Sequence, residues 1–490
     1  MNQPVTVGLE GEVGFVTRTK GYLLTIEGLP SARVNTILVN AQGQRALVSA
    51  FDEQSIEAYL LDRGNPRTGD QFFIDPNGVR FAANEALFGR AINVLGEAID
   101  NRGPLPEGTI PLRMEVDAPS MSARAPLTEP LETGMTAIDI LTPLAKGQRQ
   151  MIVGPISSGK RIFIESVFAR QKGTGVICVH AFIGRPRPYI EESISSLQSD
   201  SGNKDTIMLV SFSDDPAPMV YLTPIVALQL GEFFSRQGKD VLIVLDDLGS
   251  HAKYAREMML LAGKVPGRES YPGDMFYQQA RLLERGGRFN KTLGNGSVTL
   301  LPMLETNIED LTNLVSTNLI SATDGHLFFS PVSYSEGRFP AVSPEQSVTR
   351  VGRNTQNNLA KQLAVSVHTL LAQFERQRAY GQFGTHLSEQ TRTTIAQGEA
   401  MGIMLDQEPR KAIAVEVQLV MLGLVFTTLY EGKDSAMIRQ CRDVLVAALP
   451  TDTESATLLQ SAKRGTISLE QFLRKLQTMV PHFSTLCRIS

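Results

Sequence analysis

Residues Gly154-Pro155-Ile156-Ser157-Ser158-Gly159-Lys160-Arg161 form a Gly-x-x-x-x-Gly-Lys run. Glycines at that spacing let the backbone curl so that successive N–H groups point inward, and the lysine can then reach the outer phosphates of a ligand. The apolar run Met151 to Val153 leads into the loop and an amphipathic segment, Ile162 to Lys172, follows it. The expected order is strand, loop, helix, with the helix contributing its positive N-terminal end. The position after the lysine ordinarily carries Ser or Thr, whose hydroxyl holds magnesium. Here it is Arg161, which has donors and no acceptor. Pro155 removes one further backbone donor. A chance match in a chain with 41 glycines is the competing reading, and the flanking strand and helix weigh against it. The loop predicts a nucleotide site without ordinary magnesium chemistry.

A second chemical feature lies downstream. Val241 to Leu245 is a continuous apolar run that ends in Asp246-Asp247. A carboxylate at a strand tip beside a phosphate loop can hold magnesium or its waters. A helix cap or turn is the other reading of such a pair; the loop upstream favours Asp246 as a nucleotide-site residue.

The elements that must position these groups follow from patterning. From Val5 to about Phe73, short runs such as Tyr22–Ile26, Thr36–Val39 and Arg45–Val48 are separated by glycines and polar turns, which predicts a small closed β-barrel. Pro76 to about Ile110 reads as a connecting region. From about Val116 to Val351 apolar runs (Val176–Val179, Thr206–Val210, Val241–Leu245) alternate with helical stretches, as in a parallel sheet covered on both faces. After Gly352 the pattern is helical, with apolar residues three and four apart over Leu359–Tyr380 and Ala412–Tyr430, which predicts a helical bundle.

Composition sets outer bounds. The 490 residues allow two to four domains, and 42% apolar with 20% charged content is that of a soluble globular protein. A formal charge of −4 does not suggest non-specific binding to nucleic acid or an acidic membrane. Cys178, Cys441 and Cys487 are widely spaced, so neither a zinc site nor a disulfide framework is indicated, and they fit a reducing compartment. No secretory signal is visible at Met-Asn-Gln-Pro-Val. Leu419 to Tyr430, the most apolar stretch, is shorter than the roughly 20 residues a bilayer span needs, so membrane association is expected only through partners.

Several motifs carry a family resemblance. Gly154–Lys160, Asp246-Asp247-Leu248, the run Pro266-Gly267-Arg268-Glu269-Ser270-Tyr271-Pro272-Gly273-Asp274, Arg281–Arg285, Ser321–Gly325 and Ser347–Gly352 occur in the order found in F-type rotary ATP synthase heads. Glu129–Gly134 with Ala137-Ile138-Asp139, and Gln382-Phe383-Gly384, look like the alpha rather than the beta subunit. The resemblance runs from Val5 to at least Tyr430. It implies a multidomain fold: an N-terminal β-barrel (1–73), a central α/β P-loop NTPase domain of RecA-like type (74–352) and a C-terminal α-helical bundle (353–490).

It further implies an alpha-type, non-catalytic subunit of a proton- or sodium-translocating ATP synthase. Three such subunits alternate with three beta catalytic subunits around a central-stalk gamma subunit, with a delta or stator subunit outside, at the cytoplasmic face of the bacterial membrane and not inserted in it. ATP or ADP is the implied ligand, and no nucleic acid is implied. Arg350 matches the arginine that alpha subunits lend to the neighbouring beta site, where a planar cation stabilises the transferring phosphoryl group by roughly 10³–10⁵ in rate. Ser321 belongs to the same interface. Arg185, in Phe182-Ile183-Gly184-Arg185, stands where beta subunits have the glutamate that positions water and alpha subunits a glutamine. It can neither accept a proton nor orient water as a carboxylate does. Phe339 replaces the arginine of the adenine-pocket Ile-Arg-Pro segment, and Gln407 keeps one of two flanking glutamines, the other being Pro409.

The expected own site therefore comprises Gly154 to Arg161, Asp246, Arg185, Phe339 and Gln407, with no metal ligand. Lys160 and Arg161 either neutralise phosphates weakly and without magnesium, which we favour, or line an empty structural pocket. The family's helical N-terminal extension is absent from the pattern, so the stator is expected to dock differently. The alternatives are a self-sufficient hexameric export or translocase ATPase, which needs a hydroxyl after Lys160 and a carboxylate near Arg185, and a nucleotide-free scaffold.

Overall fold

The computed structural model describes residues 12–82, 84–106, 108–114, 116–199, 205–263, 267, 271, 273–381 and 389–488. Short runs with buried apolar residues, set between turns, make the first strands: β1 (Val13–Lys20), β2 (Leu23–Glu27), β3 (Ile37–Asn40), β4 (Arg45–Phe51), β5 (Ser55–Leu60) and β6 (Gln71–Ile74). They close into a barrel in the order β1-β2-β5-β4-β3-β6, sealed by the antiparallel pairing of Val13 with Phe73. Its interior is filled by Val16, Leu24, Ile26, Leu38, Val48 and Phe72, so it is a packed core and not a channel.

Three short strands follow, β7 (Arg80–Phe81), β8 (Ala91–Asn93) and β9 (Ile110–Pro111). Strands and helices then alternate: β10 (Gln150–Gly154), α1 (Lys160–Gln171), β11 (Val176–Arg185), α2 (Arg187–Ser199), β12 (Thr206–Phe212), α3 (Ala217–Arg236), β13 (Asp240–Asp246), α4 (Leu248–Leu261) and α5 (Met275–Glu284). Next come β14 (Gly287–Arg288), β15 (Ser297–Glu305), α6 (Leu314–Ala322), β16 (Gly325–Phe328), α7 (Pro331–Ser335) and β17 (Val348–Thr349). The remainder is helical: α8 (Asn358–Gly381), α9 (Glu389–Leu405), α10 (Val415–Leu424), α11 (Ser435–Ala448), α12 (Ala456–Arg464), α13 (Leu469–Thr478) and α14 (Val480–Cys487). The protein is thus a β-barrel, an α/β domain and a helical domain in that order.

Two compact units emerge from the packing, one of residues 1–125, 172–305 and 309–323, the other of 126–171, 306–308 and 324–490. In the first, β15, β13, β11, β12 and β8 lie side by side as a parallel sheet. Val241, Leu242, Ile243, Val244 and Leu245 are all fully buried, as a strand covered on both faces requires. Register places Phe182 of β11 beside Asp246 of β13, so both strands deliver polar residues at the same sheet end. The connecting region expected over Pro76–Ile110 is more than a tether, because β8 forms an edge of this sheet through Ala91 and Met208. Leu23 and Tyr59 of the barrel pack on Ala217 and Met258 of α3 and α4. Helix α3 is long and apolar enough to cross a membrane, which the sequence reading missed, yet 89% of its apolar window is buried inside the protein.

In the second unit β10 pairs in parallel with β16, and β16 antiparallel with β17. Helices α8 to α14 share one core that includes Leu363, Val367, Met401, Leu422, Leu445, Phe472 and Phe483. The Asp139 carboxylate ties the segment before β10 to this core, accepting from Thr133 N and Oγ1, Gly134 N and Gln418 Nε2 at 2.8–3.1 Å.

One expectation is corrected. Cys441 and Cys487, read from their spacing as unpaired, form a disulfide between α11 and α14, and Cys178 is free and buried. Separation by 46 residues hides in sequence what the packing of two helices brings together.

Helix α9 approaches α8 at Gly398, where an added Cβ would lie 2.3 Å from the Phe374 ring. Gly398→Ala gains about 1 kcal/mol of helix propensity but overpacks by about 1–3 kcal/mol. Because the contact falls at the base of the ring, overpacking dominates, and urea denaturation should show a net loss of stability.

Candidate functional site

The loop after β10 has the curled backbone that its glycines predict. Gly159 (φ +85°) and Ser157 (φ +61°) are left-handed. A Cβ at Gly159 would sit 2.8 Å from the Tyr334 ring, and one at Gly154 2.7 Å from the Phe329 carbonyl. Glycine is required at both positions by close approach. Ile156 is 73% exposed, and Pro155 offers only its carbonyl, which accepts from Ser158 Oγ at 2.8 Å.

Lys160 is turned back into this loop. Its Nζ donates to the Gly154 carbonyl at 2.9 Å, to the Pro155 carbonyl and to Ser158 Oγ at 3.2 Å. Arg161 lies on the first turn of α1 with Nε 3.7 Å from Glu165 Oε1, and Arg410 Nη2 reaches the same carboxylate at 2.6 Å. Two guanidiniums therefore share one acid beside the loop. Neither Glu165 nor Arg410 was singled out in the sequence, and an i,i+4 Arg–Glu pair following the lysine was the available signal for the first.

Phe339 is buried and borders a cavity of about 240 Å³ whose wall includes Ser330, Arg338, Pro340, Glu345 and Asp406. Its N–H donates to Asp406 Oδ1, and its carbonyl accepts from Gln407 N. The Gln407 side chain is fully engaged with backbone: Oε1 accepts from Thr136 N, and Nε2 donates to the Gly134 and Lys411 carbonyls, each at 2.9 Å. Arg350 follows β17 with an exposed side chain, and its N–H donates to the Asp324 carbonyl at 2.9 Å. The Asp324 carboxylate is in turn clamped by Arg149 Nε and Nη2 at 3.1 and 2.7 Å.

The first unit holds Asp246, Arg185 and Ser321. Ser321 is exposed on α6, its hydroxyl bonded to the Thr317 carbonyl. Asp246, fully buried at the tip of β13, forms an ion pair with Arg185 at the tip of β11. Arg185 Nη1 also reaches Glu305 Oε2 at 2.7 Å, and Nη2 lies 3.6 Å from Asp247 Oδ2. Tyr189 of α2 donates to Asp246 Oδ2 at 2.9 Å, and its ring centroid is 5.2 Å from the Arg185 guanidinium. His180 Nε2 is 3.5 Å from Asp246 Oδ2. Glu305 was legible by the rule that found Asp246, since it ends the apolar run of β15. Tyr189 and His180 gave no such signal.

Charge balance divides the two neighbouring aspartates. Burial alone would raise the Asp246 carboxyl, but Arg185 and His180 outweigh it and hold it at about 2. Burial raises Asp247 to about 6, with the charges of Asp246 and Glu305 adding to it and Arg185 opposing. Asp247 Oδ1 also caps α4 by accepting from Ser250 N. The runs Lys264–Pro266, Arg268–Ser270 and Pro272, and Gln382-Phe383-Gly384, lie outside the described residues.

A glycine loop between strand and helix, strand-tip acids on a parallel sheet, a leading barrel and a trailing helical bundle define a P-loop nucleotide-binding subunit. Residues 134–349 match the nucleotide-binding domain of the ATP synthase alpha/beta family, and residues 356–483 match that family's C-terminal domain. The protein is 35% identical over 439 residues to ATP synthase subunit alpha 1 of Dinoroseobacter shibae, covering 89% of this sequence and 86% of that one. It is 40% identical over 345 residues to ATP synthase subunit alpha of Clostridium botulinum (70% and 68% covered). With ATP synthase subunit alpha 2 of Polaromonas naphthalenivorans it shares 32% over 464 residues (93% and 89%). It belongs to the ATP synthase alpha/beta family, and these relatives are alpha subunits.

Asp247→Asn tests the charge balance, because asparagine keeps the helix cap. A folded-state pKa of about 6 against an ordinary 3.8 means that the native state loses stability as pH rises between those values. The variant should match the wild type near pH 4 and exceed it by about 1–3 kcal/mol above pH 6. Urea denaturation across that range measures the difference, and a pH-independent gap would contradict the assignment.

Proposed function

We propose that this protein is the alpha-type, non-catalytic member of an ATP synthase head. It alternates with beta-type catalytic subunits around a gamma stalk, peripheral to the cytoplasmic face of a bacterial membrane, in a complex driven by protons or sodium ions. The observation that carries the non-catalytic reading is Arg185. It occupies the strand-tip position where a water-positioning acid is needed, and it is ion-paired with Asp246 and Glu305. An arginine there supplies neither base nor metal ligand. Arg161 leaves the position after the lysine without a hydroxyl for magnesium.

The second part of the proposal is that Arg350 acts in trans. An exposed guanidinium whose backbone is anchored through Asp324 to Arg149 is suited to reach into a neighbouring subunit. There it stabilises charge spread over the transferring phosphoryl group. Ser321 shapes the same interface. ATP or ADP bound by this subunit itself is held through Lys160 and Arg161, weakly and without a requirement for magnesium, with Phe339 toward the base. The self-sufficient hexameric ATPase is disfavoured because it needs a hydroxyl at position 161 and an acid at position 185.

In a reconstituted complex with its beta-type partner, Arg350→Ala should leave assembly intact and lower turnover by about 10³-fold or more. Near-normal turnover would overturn the role. In the isolated protein, Arg161→Thr should make ATP binding more dependent on magnesium, as read by equilibrium dialysis with and without the metal. An unchanged metal response would count against the loop's proposed chemistry.

A further inference from the structure

Asp246, Asp247 and Glu305 stand at the tips of adjacent parallel strands, an arrangement in which a strand-tip aspartate ordinarily serves a divalent ion. Here the acids surround a guanidinium. Arg185 is 7% exposed, approaches Asp246 through Nε and Nη2, and reaches Glu305 through Nη1 and Asp247 through Nη2. The ring of Tyr189 flanks the same guanidinium, and its hydroxyl donates to the second Asp246 oxygen. Among the described residues no group of three His, Cys, Asp or Glu side chains is arranged to hold a metal ion. These acids are disposed around an arginine fork.

We infer that Arg185 is a resident cation: a fixed guanidinium that takes, at these strand tips, the charge-neutralising part of a divalent metal. The inference rests on the reading of Asp246 as a strand-tip acid of the metal-serving kind, and it names the residue that stands in the metal's place. A planar fork with several fixed donors satisfies separated carboxylates in a way a compact ion does not. Because Asp246 is engaged on both oxygens, it has no free face for metal-bound water. Removal of the guanidinium leaves three acids with less opposing charge, a state that recruits an ion from solution and in which burial raises their affinity for it.

The test uses the full-length protein and Mn²⁺ alone, without nucleotide, so that its outcome is separable from whether the protein binds ATP. For the wild type, millimolar Mn²⁺ should leave the thermal midpoint unmoved, and the electron paramagnetic resonance signal of free Mn²⁺ should stay undiminished. Arg185→Gln should be less stable without metal, should recover part of the lost midpoint with Mn²⁺, and should bind about one Mn²⁺ per molecule. Arg185→Lys, which keeps the charge, should bind none. If Arg185→Gln does not fold, Arg185→Gln with Asp247→Asn reduces the uncompensated charge and leaves Asp246 and Glu305 as ligands. A folded Arg185→Gln, or the double variant in its place, with no Mn²⁺ binding overturns the inference, as does a wild type whose midpoint rises with Mn²⁺.

Discussion

The ion pair between Arg185 and Asp246 fixes what the strand-tip region of this protein can do. Both groups are buried, and an isolated charge in such a place would carry a penalty of several kcal/mol. Exchanging either alone is therefore costly, and the surrounding groups complement the pair. Glu305 takes the outer nitrogen, Tyr189 the outer oxygen, and the neighbouring Asp247 is pushed toward its neutral form. The cation that stabilises this acid cluster is covalently part of the protein.

The phosphate loop shows the same tendency in the other compact unit. Lys160 donates to loop carbonyls, and Arg161 and Arg410 converge on Glu165. Each cation is compensated within the protein, so the loop keeps its curled shape by its own hydrogen bonds. Placing phosphates there requires Lys160 to exchange backbone carbonyls for ligand oxygens. That exchange lowers the net gain from binding, since a net hydrogen bond contributes only about 0.5–1.5 kcal/mol.

Membership of the ATP synthase alpha/beta family gives these departures their meaning. The protein keeps the nucleotide-binding domain and the C-terminal domain of that family behind a leading barrel. The departures at Arg161 and Arg185 fall at the loop and at a strand tip, within that architecture. The backbone anchor of Arg350, from Asp324 to Arg149, lies within it as well. So does the Asp139 centre that draws together Thr133, Gly134 and Gln418.

Much of this was legible in the residues themselves. Short runs parted by glycines and polar turns gave the barrel strands, continuous apolar runs the buried parallel strands, and three- and four-residue spacing the terminal helices, because each pattern reflects where the chain turns and how many faces an element buries. The glycine spacing gave the loop, and the acid at the end of an apolar run gave Asp246. Contacts between distant segments were not legible. No local rule pairs Arg185 with Glu305, Cys441 with Cys487 or Arg410 with Glu165, since side chains far apart in sequence meet only through strand register and helix packing. Burial was decided the same way: α3 has the composition of a membrane span and is a core helix because the sheet, α4 and the barrel cover it. Sequence determined which groups were present and on which elements; tertiary structure determined which charges neutralise one another.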